Sequence, residues 1–210
     1  MTKEPSYSLW LTPSKSLASD TFRTLISSLP GPRFPAHATL LGSAPHGTSL
    51  EDVMKGVEDA LAEWRNSIKD RHKNELTVRF KDVRRGEEYF RCVLVALEEH
   101  PDLMLFHDLT LKFLPSPSER PVYFPHISLL YSDISLEDRQ IIVDELYRSK
   151  RVRSMPCGGI ALVSSPSILG DSEAEQSETL IETVSFDRVS ICVTKGIEPE
   201  AWKPVGEVLV

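Results

Sequence analysis

Two hexapeptides, Ala36-His37-Ala38-Thr39-Leu40-Leu41 and Pro125-His126-Ile127-Ser128-Leu129-Leu130, decide how this chain is read. Each runs small residue or proline, histidine, apolar residue, hydroxyl, leucine, leucine, and one lies in each half of the 210 residues. The pattern predicts a strand, in which residues two apart share a face about 7 Å from each other. His37 and Thr39 then project together while Ala38 and Leu40 pack behind them. His126 and Ser128 repeat the arrangement, with Ile127 and Leu129 behind. Matching grammar in the two halves points to a weak internal duplication of a strand-centred unit.

Outward from these blocks, strands and helices are mixed. Strands are expected at Tyr7–Leu11, Ala36–Gly42, Leu76–Val83, Tyr89–Leu97, Val122–Tyr131, Gly159–Val163 and Thr183–Val193. Helical spacing covers Leu17–Leu29, Ser49 to about Lys69, Asp102–Phe113 and Leu136–Tyr147. Ser49 and Ser135 are the expected N-caps, and Glu51 and Asp52 sit where carboxylates favour the helix dipole. Pro115 to Ser118 reads as a turn-rich connector. Ser164 to Glu178, rich in Ser and acids, reads as a mobile surface loop. Ile197–Val210 closes the chain with Trp202 as its largest apolar anchor. The class is α+β with mainly antiparallel sheet.

Composition narrows the partners. A formal net charge of −7 argues against gripping long nucleic acid through many phosphates, yet leaves room for one small anion. No apolar run is long enough to span a bilayer, and the N-terminus lacks a signal-peptide layout. A cytoplasmic protein is the expectation, with peripheral attachment to an internal membrane left open. Cys92, Cys157 and Cys192 are scattered and form no C-x-x-C, so free thiols, buried or half-buried, are expected.

Two strands of this kind, related by a local two-fold, would flank one phosphate with two imidazoles and two hydroxyls. That set suits hydrolysis of a cyclic phosphate ester. The attacking water must lose a proton and the leaving sugar oxygen must gain one, on opposite sides of phosphorus. Histidine serves either role near neutral pH, and the hydroxyls hold the non-bridging oxygens. No carboxylate cluster of metal-binding type accompanies the histidines, so no metal and no cofactor is expected. A third match, His46-Gly47-Thr48, sits in a turn that presents no strand face. His72 lies in a charged run, His100 precedes Pro101, and His107 falls in a helix; all three read as structural or solvated.

With both motifs in hand, the sequence resembles the 2H phosphoesterase superfamily, and most closely the cyclic phosphodiesterases of fungi and plants that act downstream of tRNA splicing. Tyr7-Ser8-Leu9-Trp10-Leu11, Gly31-Pro32-Arg33-Phe34, Tyr89-Phe90-Arg91-Cys92-Val93 and Tyr123 to Tyr131 carry the likeness, together with Trp202, Val205 and Val208. The resemblance implies a single bilobal, pseudo-two-fold domain over residues 1–210, with an antiparallel sheet in each lobe, flanking helices and the site in the cleft. The acidic stretch at 164–178 would be an insertion. It also implies hydrolysis of ADP-ribose 1″,2″-cyclic phosphate to ADP-ribose 1″-phosphate, and of nucleoside 2′,3′-cyclic phosphates to 2′-phosphates. By analogy His126 is the base and His37 the acid, although a pseudo-symmetric site gives no sequence reason for that order. Thr39 and Ser128 carry over as phosphate-binding hydroxyls.

The family also uses the tyrosine after the second motif, here Tyr131. Alternation from His126 puts Tyr131 on the opposite face, so it reaches substrate only if the strand bends or ends before it. Otherwise it is a core or hinge aromatic. Trp10 and Phe90 are rings able to stack on a base or ribose, with core packing the expectation. Two other readings stand beside the small-molecule enzyme: processing of cyclic phosphate at RNA 3′ ends, and a non-catalytic nucleotide-binding module. The acidic surface counts against the first, and two intact proton carriers count against the second. Oligomeric state is not legible.

Overall fold

A computed structural model describes residues 6–68, 75–115, 122–164, 178–194 and 198–210. In chain order the elements are β1 (Tyr7–Pro13), α1 (Leu17–Ser28), β2 (Ala38–Leu41), α2 (Leu50–Ser67), β3 (Leu76–Arg85), β4 (Val93–Leu97) and α3 (Pro101–Phe113). Then follow β5 (His126–Leu130), α4 (Leu136–Arg148), β6 (Val152–Ser154), β7 (Ile160–Ser164), β8 (Thr179–Ile181), β9 (Thr183–Val193) and β10 (Pro204–Leu209). This is the α+β, antiparallel class expected of the chain.

Helix starts follow local chemistry. The hydroxyls of Ser49 and Ser135 accept the backbone N–H of Asp52 and Asp138, satisfying donors left open at a first turn. At α3, His100 takes the cap position and its Nδ1 accepts the Asp102 N–H, ahead of Pro101.

Seven strands pair in the order β1-β2-β5-β4-β3-β9-β10, and a further pairing of β1 with β9 returns the ladder on itself. Every pairing is antiparallel. The long β9 makes this closure possible. Its first residues pair with β3, while Arg188–Cys192 lie between β1 and β10. The continuously apolar Val93–Leu97 is buried at all five positions, as a strand covered on both faces must be. β6, β7 and β8 form a separate three-stranded sheet.

Several expectations need revision. Tyr89–Arg91 is not strand but a 3₁₀ turn, and β4 begins only at Val93. The cause lies at Gly86, whose N–H donates to Cys92 O at 3.1 Å; a Cβ there would collide with the Arg91 carbonyl. Closing the chain so tightly curls the residues between. Residues 122–125 carry no strand, and β5 starts at His126. β6, β8 and β10 had no sequence signal. Cys92 and Cys192 are buried thiols, but Cys157 is exposed in the β6–β7 turn. Most of the connector at 115–118 and of the acidic stretch at 164–178 falls outside the described residues.

Candidate active site

The two motif strands are neighbours. β2 and β5 pair antiparallel with Ala38 opposite Ile127, the residue after each histidine. Extending that register by one step sets His37 opposite Ser128 and Thr39 opposite His126. Side chains directly opposite lie about 5 Å apart at Cβ, and alternation sends all four to one face. Ala38 and Ile127 point the other way and are fully buried. A local two-fold therefore passes between Ala38 and Ile127, and every group the motif contributes has a counterpart across it.

Each histidine is oriented by the same device. His37 donates its Nδ1–H to Pro35 O at 2.6 Å, and His126 donates its Nδ1–H to Phe124 O at 2.8 Å. A carbonyl only accepts, so Nδ1 carries the proton in both rings. When the imidazole is neutral, Nε2 is the basic nitrogen. The Trp10 ring stacks on His37 at 3.8 Å between centroids and 12° between planes. That ring is itself held in place: Trp10 Nε1–H donates to Ser8 Oγ at 2.8 Å, and Ser8 Oγ donates to Leu41 O at 3.2 Å. Phe124 lies nearly parallel to His126, at 5.4 Å and 18°.

Burial sets the charge of the pair. His37 is 7% exposed, and burial pulls its pKa down to about 4 against the opposing pull of the Pro35 carbonyl, with His126 adding to the fall. His126 is also lowered, first by burial and then by the Arg91 guanidinium, while the Phe124 carbonyl and Glu88 oppose. At neutral pH the empty site thus holds two neutral imidazoles.

The hydroxyls differ. No hydrogen bond engages Thr39 among the described residues, whereas Ser128 Oγ donates its single proton to Phe90 O at 2.8 Å. β5 ends at Leu130, one residue before Tyr131, so alternation does not govern that ring. Tyr131 is buried, stacks on Phe34 at 3.7 Å, and brings its hydroxyl to Ser128. Burial pushes the Tyr131 phenol above its ordinary range.

These groups open on one cavity of about 1030 Å³, large enough for a nucleotide. Trp10, Phe90, Tyr131 and Trp202 form one wall, with Trp202 5.5–5.9 Å from the other three rings. His107 and Tyr123, stacked at 3.9 Å, line the other end. The expectation of core packing fails for Phe90, which is 52% exposed, because the 3₁₀ turn aims it outward. Trp10 is buried yet still faces the cavity. His107 was read as structural or solvated and in fact lines the cavity. Sequence reasoning also passed over Glu88 and Arg91, an ion pair at the rim. His46 is exposed in its turn, next to Gly47 with φ +78°, and stands outside the cavity. His72 lies outside the described residues. Among those described, no group of three or more His, Cys, Asp or Glu converges as metal ligands would, and no helix is long and apolar enough to cross a membrane.

Fold and paired H-x-[ST] strands together define a 2H phosphoesterase. The chain belongs to the cyclic phosphodiesterase-like protein family, whose model matches residues 5–152. A curated relative, the cyclic phosphodiesterase of Arabidopsis thaliana, is 26% identical over 149 residues, 69% of this chain and 75% of that one. A distant likeness extends to E. coli LigT solved with phosphate, at 11% identity and TM-score 0.46 over 99% of this chain and 98% of that one. A solved phosphoesterase gives 13% identity and TM-score 0.48 over 99% of each chain. By family the chain is a phosphodiesterase, a hydrolase of phosphoric diesters. Trp202 lies beyond the residues that the family model matches.

Proposed function

We propose that this protein hydrolyses nucleoside 2′,3′-cyclic phosphates to 2′-phosphates, and ADP-ribose 1″,2″-cyclic phosphate to ADP-ribose 1″-phosphate, by metal-independent acid–base catalysis between His37 and His126. The observation that carries the reading is the register of Ala38 with Ile127. It puts two Nε2 atoms and two hydroxyls around one spot at the floor of a cavity walled by aromatic rings. The rings offer a nucleoside stacking surface, and the floor offers the phosphate its donors.

The proton account closes without a third group. One imidazole takes a proton from water as its oxygen bonds to phosphorus. The bond from phosphorus to the 3′ oxygen breaks, and that oxygen takes the Nε2–H of the other imidazole. The base ends protonated and the acid neutral, and exchange with solvent resets both. Because the empty site is neutral, the acid must gain its proton as the anionic substrate arrives. His37 is the better acid: the Trp10 face stabilises an imidazolium once a phosphate offsets its burial. His126, beside Arg91, is the better base. Thr39 is free to donate to a non-bridging oxygen, Tyr131 supports Ser128, and Ser128 must turn its proton from Phe90 O to join.

The test is incubation of purified protein with 2′,3′-cyclic AMP and with ADP-ribose cyclic phosphate, with and without a chelator, followed by product identification. Turnover to a 2′-phosphate that survives chelation is expected. No turnover of either compound sinks the reading, and loss on chelation sinks its metal-free chemistry.

A further inference from the structure

Arg139, in the first turns of α4, is 5% exposed, and no carboxylate among the described residues pairs with it. A buried cation is costly unless its donors are filled. Here backbone carbonyls fill them. Nε donates to Ile134 O at 3.0 Å, Nη2 to Ser132 O at 3.2 Å, and Nη1 to Gly86 O at 2.9 Å and Glu88 O at 3.4 Å. The planar fork thus ties together two segments that are far apart in sequence. One leads into the Tyr89–Arg91 turn and its cavity-facing rings. The other follows directly on Tyr131. A further bond, Ser132 N–H to Tyr89 O at 3.3 Å, joins the same two segments.

The other anchor of that turn belongs to the reacting floor. Ser128 holds the Phe90 carbonyl with its only proton, and it cannot give the same proton to a phosphate oxygen. When Ser128 turns to substrate, the turn loses that anchor. Arg139, whose partners are all backbone, keeps its bonds whether or not phosphate is present.

We propose that Arg139 is a positioning residue that holds the Tyr89–Arg91 wall at nucleoside-stacking distance through the reaction, without contributing to phosphate binding itself. This rests on the cavity being the nucleotide site proposed above. A lysine cannot replace it, because one ammonium cannot span carbonyls on two segments.

The experiment compares binding of inorganic phosphate and adenosine 2′-monophosphate by calorimetry, and the kinetics on 2′,3′-cyclic AMP, for wild type, Arg139→Gln, Arg139→Lys and Phe90→Ala. For both Arg139 variants, 2′-monophosphate binding should weaken about tenfold and KM rise similarly, with phosphate binding within about twofold and kcat little changed. Phe90→Ala should give the same signature, and it keeps the proposal testable if the Arg139 variants fold poorly. Equal weakening of phosphate and nucleotide, rescue by lysine, or no effect of Phe90→Ala on the nucleotide would each overturn the proposal. Failure of wild type to bind phosphate or nucleotide would instead overturn the functional reading beneath it.

Discussion

β2 and β5 carry the same motif across a local two-fold, yet the tertiary structure treats them differently. Both histidines donate Nδ1–H to the carbonyl two residues back. Beyond that the symmetry fails. His37 is buried under Trp10, with its pKa drawn down to about 4. His126 sits nearer the rim, within reach of Arg91 and Glu88. Thr39 is unengaged, whereas Ser128 is committed to Phe90 O and also meets Tyr131. A duplicated strand supplies two sets of identical chemistry, and its neighbours divide them into an acid side and a base side.

The largest expected effect tests what the strands share. His37→Ala and His126→Ala should each lower kcat by about 10³-fold or more, with the fold intact by circular dichroism. If one variant keeps near wild-type turnover, the paired mechanism is broken.

The next effect separates the strands by burial. Unfolded, His37 binds a proton below about 6.5; in the native protein it does so only below about 4. Between those values the unfolded state holds the extra proton, so stability falls as pH drops from 6.5 to 4 and levels off below. The loss from His37 is roughly 3 kcal/mol across that window, readable from urea unfolding at a series of pH values. His126 acts in the same direction. A His37→Gln variant as acid-sensitive as wild type would contradict the burial assigned here.

The hydroxyls should divide more gently. Thr39→Ala removes an unengaged donor and should cost about 10²-fold in kcat. Ser128→Ala removes one already shared and should cost about tenfold, since Tyr131 remains close to the floor. Reversal of that order would sharpen the comparison the other way, making Ser128 the principal donor. The smallest effect is proton uptake. Phosphate binding to two neutral imidazoles should draw in up to about one proton near pH 6.5, seen as calorimetric heats that depend on the buffer. His46→Ala should change none of these by more than about twofold, as surface substitutions generally do little.

Legibility in the sequence tracks how local each cause is. The faces of β2 and β5 follow from alternation, and the serine caps of α2 and α4 from one side chain meeting one N–H three residues on. Tyr131 was left undecided because its direction depends on where β5 ends. Phe90 was misjudged because the curl at Tyr89–Arg91 comes from Gly86 closing on Cys92 and from Arg139, 48 or more residues further along. β6 and β8, three residues each, are too short to show a period.

By itself, then, the sequence determined the α+β class, the two H-x-[ST] strands and the side from which each histidine and hydroxyl projects. Those depend on neighbours one to four residues apart. Only the tertiary structure decided that the two strands are adjacent with Ala38 facing Ile127, which histidine is the more deeply buried, and which hydroxyl is free. Pairing register, burial and hydrogen-bond partners are set by groups brought together from distant parts of the chain, and no local pattern encodes them.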